Sequence, residues 1–450
     1  MSGPLGPDLI RSVAGAALEL PGVDGVEVLF VHEWGGLTRF AKSSIHQSTS
    51  REDTGITVRV ISEGRAGVAS TNDFSAEGAR AAAADAKEMA LVSSSDPDFP
   101  GLAPAADTPA KEGAYDDATA SASPESRAES VATLVAQLRD GFHAAGAYET
   151  VAAEVAVANT EGQFCIAAYT QAAVTSVVSG GEDGAGFGER IAGRAEDIDF
   201  EAVGQRAMAK AFNSQNPVPL APGRQTVVLE PAASSTLSEF LSYLGFGGRA
   251  LAEGRSCFSG QVGSQVAAPS ISIYDDALSP ASLGIPFDFE GTPKQRVALV
   301  QDGIFRGAVE DRRSAKQAGG TSTGHALPPP NPDGPFPLNI CVDPGNASLQ
   351  DMIAAVERGL LITRFHYTNV VNPMEATITG MTRDGTFLIE NGELSRPVRN
   401  LRFTQSIPEA LKATRLVGRD RELASEFFFS ASLVPALLID EFQFTSASDH

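Results

Sequence analysis

Hydrophobic and polar positions divide this chain into two differently patterned halves. Near the start, Leu9, Ile10 and Val13 open an amphipathic helix. Val26–Val31 mixes alternation with an apolar run, and Ile56–Ile61 alternates cleanly, as half-buried strands do. Gly64–Gly67 turns the chain into another strand. Ser75 then caps an alanine-rich helix to about Leu91, with Ala79, Ala83, Ala86 and Ala90 on one stripe. A second unit follows. Ser123-Pro124-Glu125 starts a helix whose apolar face is Val131, Leu134, Val135 and Leu138. Val151–Val157 and Phe164–Tyr169 flank Asn159-Thr160-Glu161-Gly162, a hairpin signal, because Asn and Gly tolerate positive φ. A strand at Ala172–Val178 and a helix near 200–213 complete it, so the grouping of strands and helices occurs twice.

Between these units, residues 93–124 are rich in Ser, Asp, Pro and Ala and lack periodicity, which predicts a surface excursion. Asn216–Gly223 is proline-rich and predicts a stiff linker. The expected domains are therefore 1–220 and 221–450. The second is strand-rich, with strands expected at Thr226–Leu229, Ser270–Tyr274, Gln295–Val300, Gly303–Glu310 and Gly385–Ile389. Its clearest helix signal starts at Ser348, with Asp351 in capping-box position and a face of Met352, Ile353, Val356 and Leu360. Six prolines in 327–337 exclude regular structure there. The fold class expected is α+β.

Composition narrows the function classes. A chain of 450 residues exceeds one small core. Its 56 acidic and 34 basic residues give a formal net charge of −22, which argues against a nucleic-acid binder. Three widely spaced cysteines, Cys165, Cys257 and Cys341, suggest neither a zinc ribbon nor a disulfide framework, and an odd count fits a reducing cytoplasm. No signal-peptide pattern opens the chain, and no apolar run approaches bilayer-spanning length.

Residues 254–326 carry the most specific pattern. They contain S-x-F-x-G-x-x-G-x-x-V-A at Ser256–Ala267, Asp275-Asp276 closing a strand, E-G-x-P-x-Q-R at Glu290–Arg296, and a hairpin at Val300–Gly307 with glycines four apart. Upstream stand Thr38–Ala41, Ile45-His46-Gln47 and Gly64–Gly67; downstream stands Thr382–Glu393. In this order the chain resembles the TldD/TldE (PmbA) family over most of residues 26–405. The resemblance implies an α+β N-terminal domain, a β-rich, barrel-like C-terminal domain, and dimers around a shared chamber. Its catalytic members carry H-E-x-x-x-H on a helix. Helical pitch puts its two histidines near one another to hold zinc, with the glutamate as general base. The matching stretch here, Leu237–Leu244, contains no histidine, and the segment around His366, where a cysteine ligand is expected, has no cysteine.

The resemblance therefore implies a metal-free, TldE-like subunit of a cytoplasmic metallopeptidase. It has no cofactor of its own, and zinc comes from a TldD-like H-E-x-x-x-H partner. Short or unfolded peptides are the implied substrate, with His325, Thr323 and Asn369 as substrate-contacting residues. A scaffold or regulatory homodimer and a tailoring hydrolase subunit in natural-product biosynthesis are the alternatives. Other readings come from residue chemistry. Asp275, Asp276, Asp288 and Glu290 are candidate acids, with Arg296, Arg312 and Arg313 as partners. Cys257 has no nearby histidine to activate it. His32-Glu33 looks like a strand end, and His46 a structural hydrogen-bonder. Glu426–Phe429 and Leu433–Ile439 are apolar enough to form an oligomer contact.

Overall fold

The computed structural model describes residues 3–425 and 431–447. Helix α1 (Pro7–Leu18) leads into strands β1 (Gly25–Ala41), β2 (Ser44–Ser62) and β3 (Arg65–Thr71), followed by α2 (Ala76–Val92). After the short α3 (Asp117–Ala120), the same order recurs. Helix α4 (Pro124–Val135) precedes β4 (Phe142–Asn159), β5 (Phe164–Gly180) and β6 (Gly184–Ala192), and α5 (Phe200–Asn213) closes the unit. The strands form one sheet in the order β3-β2-β1-β4-β5-β6, with the first strands of the two units paired antiparallel at the centre. Two helix–meander–helix units thus join edge to edge.

Alternation along β1 sets which way the sheet faces. Val26, Val28 and Phe30 pack under α1 and α2 with Ile56, Val58 and Ala83. Leu29 and Val31 point to the other face and meet Ile285 and Phe287 of the second half. Helix α2 starts where expected, with the Ser75 hydroxyl accepting from the Gly78 amide at 3.0 Å. The Asn159 side chain accepts from the amides of Glu161 and Gln163, and so builds the predicted hairpin.

The second half begins with β7 (Gly223–Leu229) and α6 (Pro231–Gly245). Short strands β8 (Ile273–Asp275), β9 (Val297–Gln301), β10 (Ile304–Phe305) and β11 (Ile340–Val342) follow. Then come β12 (Arg358–Asn372), β13 (Thr377–Glu390), β14 (Glu393–Pro397), β15 (Leu401–Ser406), β16 (Thr414–Ala424) and β17 (Ser432–Ala447). Pairing runs β17-β15-β13-β12-β7, and β7 pairs back onto β17, giving a barrel-like ring. Phe365, Phe403, Phe442 and Phe444 fill its core, with the Phe365 and Phe403 rings 4.4 Å apart.

Several expectations change. The helix at Ser348 has its capping box but ends at Ala354; Leu360 belongs to β12. Gly359 abuts Thr226 of β7, and the β-branched and apolar run after it suits a buried strand better than a helix face. Of Gly303–Glu310, only Ile304-Phe305 is strand. His32 and Glu33 lie in the middle of β1 rather than at its end. Leu433–Ile439 lies in β17 with Val434, Leu438 and Ile439 fully buried, so it completes the chain's own core and offers no contact surface. Glu426–Phe429 and His450 lie outside the described residues.

The segment 93–124 does more than cross the surface. Leu102 and Ala103 are buried, Asp96 pairs with Arg313 at 3.1 Å, and Lys111 donates to the carbonyls of Ala277 and Ser282. It straps the first unit to the second half. Burial lowers the Lys111 pKa to about 8.

Candidate functional site

Where the first sheet meets the second half, a pocket of about 430 Å³ opens. Val31 and Val155 of the central strands form one wall; Phe287, Phe289, Leu327 and Leu338 form the other. Polar groups in this apolar surround are few: Lys294, His325, Asn339, Tyr169 and Gln171.

Lys294, His325 and Asn339 are held by a buried network. His325 Nε2 lies 2.9 Å from Asp275 Oδ1, and neither side chain is exposed. Its Nδ1 lies 2.9 Å from the Thr323 hydroxyl. Burial lowers the His325 pKa despite Asp275, so the ring is neutral near pH 7. An ionised carboxylate can only accept, so Nε2 carries the proton to Asp275 and Nδ1 accepts from Thr323. Burial opposes ionisation of Asp275. His325, Lys294 and the Asn339 amide, which donates to Oδ2 at 2.6 Å, outweigh it and hold the carboxyl below its ordinary value.

Local backbone geometry brings the network together. Gly324 has φ 77°, and a Cβ there would stand 2.4 Å from the Pro293 carbonyl oxygen. Only glycine lets the His325 loop lie against the turn that carries Lys294. Asp288 builds that turn: one carboxylate oxygen accepts from the amides of Glu290 and Thr292, and the other from Ala326. Burial pushes the Asp288 carboxyl up to about 7. The Lys294 ammonium reaches the Asn339 side-chain oxygen at 3.0 Å. Burial lowers its pKa, and Asp275 and Asp288 partly offset this.

A second charged cluster ties the halves together beside this pocket. Arg59 of β2 donates to Glu27 of β1 and to Glu290 of the turn, each at 3.0 Å. Burial pushes the Glu27 carboxyl up to about 7, against the pull of Arg59 and with the Glu290 carboxylate adding to the rise.

The candidate residues from the sequence thus separate. Thr323 and His325 share one network with Asp275. Asn369 lies exposed on β12, does not line this pocket, and donates to the Tyr367 carbonyl. Asp276 turns away from Asp275 to cap the amides of Leu278 and Ser279, with Arg296 3.6 Å away. Glu290 pairs with Arg59 rather than with Arg312 or Arg313; Arg313 pairs with Asp96. Asp288 and Glu290 influence each other, Glu290 adding to the rise of the Asp288 carboxyl, but each is held by its own partners. Cys257 is buried, and burial pushes its thiol up to about 12. His46 is exposed on β2. Sequence reasoning missed Lys294. Its one signal was a charged residue inside the E-G-x-P-x-Q-R turn, which reads equally well as solvent-facing.

The zinc-binding position of the resembled family falls on α6. That helix is buried over most of its length, and its segment 237–244 offers Ser238, Glu239 and Ser242 as polar side chains. One carboxylate and hydroxyls do not meet zinc's preference for three nitrogen, sulfur or carboxylate ligands. No cluster of three or more His, Cys, Asp or Glu residues suited to a metal occurs among the described residues.

An antiparallel sheet of two repeated units, set against a barrel-like ring with α6 across it, defines the two-part architecture of a metallopeptidase-type fold. Residues 222–446 match the PmbA/TldA metallopeptidase C-terminal domain, and 26–90 match domain 1 of the same family. The chain belongs to the PmbA/TldD family. It is 29% identical over 171 residues to the metalloprotease TldD homolog of Haemophilus influenzae, covering 37% of this chain and 35% of that protein. It is 24% identical over 293 residues to a metalloprotease of Methanothermobacter thermautotrophicus, covering 62% and 63%. The chain thus matches between about a third and two-thirds of the length of these relatives. TldE of Thermococcus kodakarensis superposes with a TM-score of 0.86 at 22% identity, covering 97% of this chain and 99% of that one. A protein of Thermotoga maritima described as a modulator of a DNA gyrase superposes with a TM-score of 0.87 at 18% identity, with the same coverage. No helix among the described residues is long and apolar enough to cross a membrane.

Proposed function

We propose that this chain is the metal-free subunit of a heteromeric peptidase that acts on short or unfolded peptides, and that a TldD-like chain with H-E-x-x-x-H supplies the zinc, the attacking water and the general base. The observation that carries this reading is the donor set of α6: hydroxyls, one carboxylate and apolar side chains occupy the stretch where a catalytic member presents its two histidines. Names borne by relatives support a peptidase context, and the structural likeness to a TldE supports the subunit type.

In this reading the chain contributes surface rather than chemistry. Beyond Ile362, β12 pairs as a strand only with β13 among the described residues. Tyr367 and Val371 on that stretch are 68% and 56% exposed, and Asn369 lies between them. An extended peptide adding along this edge would gain main-chain hydrogen bonds, with Asn369 in contact. Thr323 and His325 would hold the wall of the neighbouring pocket. Co-expression with an H-E-x-x-x-H homologue, followed by purification, metal analysis and a peptide-cleavage assay, tests the reading. Chelator-sensitive cleavage by the complex alone is expected. Cleavage by the isolated chain that persists in chelator would overturn it.

A further inference from the structure

We propose that the pocket between the two halves is a binding site for a carboxylate with an apolar body, the carboxylate meeting Lys294 and the body filling the space between Val31, Val155, Phe287, Phe289 and Leu327. The inference concerns this chain alone and does not depend on a peptidase partner.

Its first support is the pocket itself. A volume of about 430 Å³ falls within the range of small-molecule sites, which are mostly apolar with a few fixed polar groups. The second is the state of those polar groups. Both nitrogens of His325 are already engaged, by Asp275 and Thr323, so the ring has no donor left for a ligand. The Asn339 side-chain oxygen is spent on Lys294, and one of its two N–H groups on the Leu283 carbonyl. Lys294 differs. It is 5% exposed and lines the pocket, and of its three donors one is spent, on Asn339. Two N–H groups of a buried ammonium therefore lack acceptors among the described residues, a costly arrangement in an apolar surround.

A ligand that supplies acceptors there removes that cost, and an anionic acceptor does so most strongly, through charge-assisted hydrogen bonds. A cationic ligand would meet Lys294 head-on, and a purely apolar one would leave its donors unmet. The Tyr169 and Gln171 side chains also line the pocket, make no hydrogen bond to a described residue, and can complete the polar end. Two sources share this chemistry: a free medium-chain or aromatic acid, and the C-terminus of a peptide ending in a large apolar residue.

Isothermal titration of the chain separates them. The probes are decanoate against decanol, and a tetrapeptide ending in Phe as free acid against its C-terminal amide. The acid of at least one pair is expected to bind at least about tenfold tighter than its neutral counterpart. Preference for decanoate assigns a free acid as the source, and preference for the peptide acid alone assigns a C-terminus. Lys294→Met keeps the bulk and removes the charge, and should abolish the preference. Phe289→Ala, at the opposite wall, should weaken both members of a pair while keeping the preference. Equal binding of acid and neutral probe by the unaltered chain, or no binding of any probe at millimolar concentration, overturns the proposal whatever the variants do.

Discussion

His325 and Asp275 meet through a 2.9 Å hydrogen bond with both side chains sealed from solvent, although 50 residues separate them in the chain. Asp275 ends a strand and His325 sits in a loop, and the bond joins them at the edge of the inter-half pocket. It fixes the imidazole as a neutral ring that donates to a carboxylate.

Truncating that ring tests its role. His325→Ala leaves Asp275 buried and short of one of its two hydrogen-bond donors. Removing the donor from a buried acceptor typically costs about 1–3 kcal/mol, and more when that acceptor is charged. A loss of that size in chemical denaturation is expected, with cleavage by the heteromeric complex still measurable wherever the variant stays folded. A variant as stable as the parent would show that the bond is not structural.

The same pair has an acid signature. His325 has its pKa lowered, so its neutral form stabilises the fold fully above the unfolded value near 6.5. That contribution is lost as pH falls below about 6.5. Asp275 is lowered as well, so its contribution is lost further down, as pH drops through its folded value. Stability should therefore fall on acidification from pH 7, and the fall between pH 6.5 and 5 should be shallower in His325→Gln. Equal slopes in the two proteins would remove the histidine from the explanation.

Gly324 supplies a local test. At φ 77°, with the Pro293 carbonyl 2.4 Å from a built Cβ, Gly324→Ala combines left-handed backbone strain with a backbone clash. Strain alone is worth about 1–3 kcal/mol. Thermal unfolding should show at least that loss, whereas Gly320→Ala, nearby with open surroundings and no positive φ, should stay near the parent.

Much of this fold was legible because its signals are local. The alternation in β1 and β2, the Ser75 cap and the Asn159 hairpin each depend on a few neighbouring residues, and each formed as the pattern implied. The second half was harder. β7 pairs with β12 and β17, which lie far along the chain, so their register reflects contacts that no short window contains. The candidate site divided in the same way. Thr323 and His325 lie two residues apart and were found together. Asp275, Lys294 and Asn339 reach them only through the folded turn, and the link from Arg59 to Glu290 spans both halves. Asn369 was chosen by position in a motif, which does not fix the face or neighbourhood a strand gives it.

Exposed residues on β12 give the partner reading its own test. Val371→Asp lies on a solvent-facing stretch and should change stability by no more than about 0.5 kcal/mol, and Tyr367→Asp, at φ 53°, introduces a residue that tolerates the left-handed region and should not destabilise. If a peptide or partner strand adds along this edge, the same changes should weaken capture of a peptide substrate by the complex. Unchanged capture with both positions altered would move the substrate edge elsewhere.

Glu27 offers the sharpest test of the joint between the halves, because its sign is opposite to that of His325. Burial raises its carboxyl from 4.5 to about 7, so the folded chain holds a proton that the unfolded chain releases between those values. Its stabilising contribution is full below about 4.5 and is lost as pH rises through 7. Glu27→Gln mimics the protonated form at every pH. The stability of the parent relative to this variant should therefore decline from pH 5 to 7.5, by on the order of 2–3 kcal/mol. Asp288 is raised in the same direction but is present in both proteins, so it cancels in the difference. Arg59→Ala, which strips the shared cation, should steepen the decline, since Glu27 and Glu290 would then face each other without it. Parallel stability–pH curves for parent and Glu27→Gln would mean that the carboxylate is fully ionised and that Arg59 alone compensates both acids.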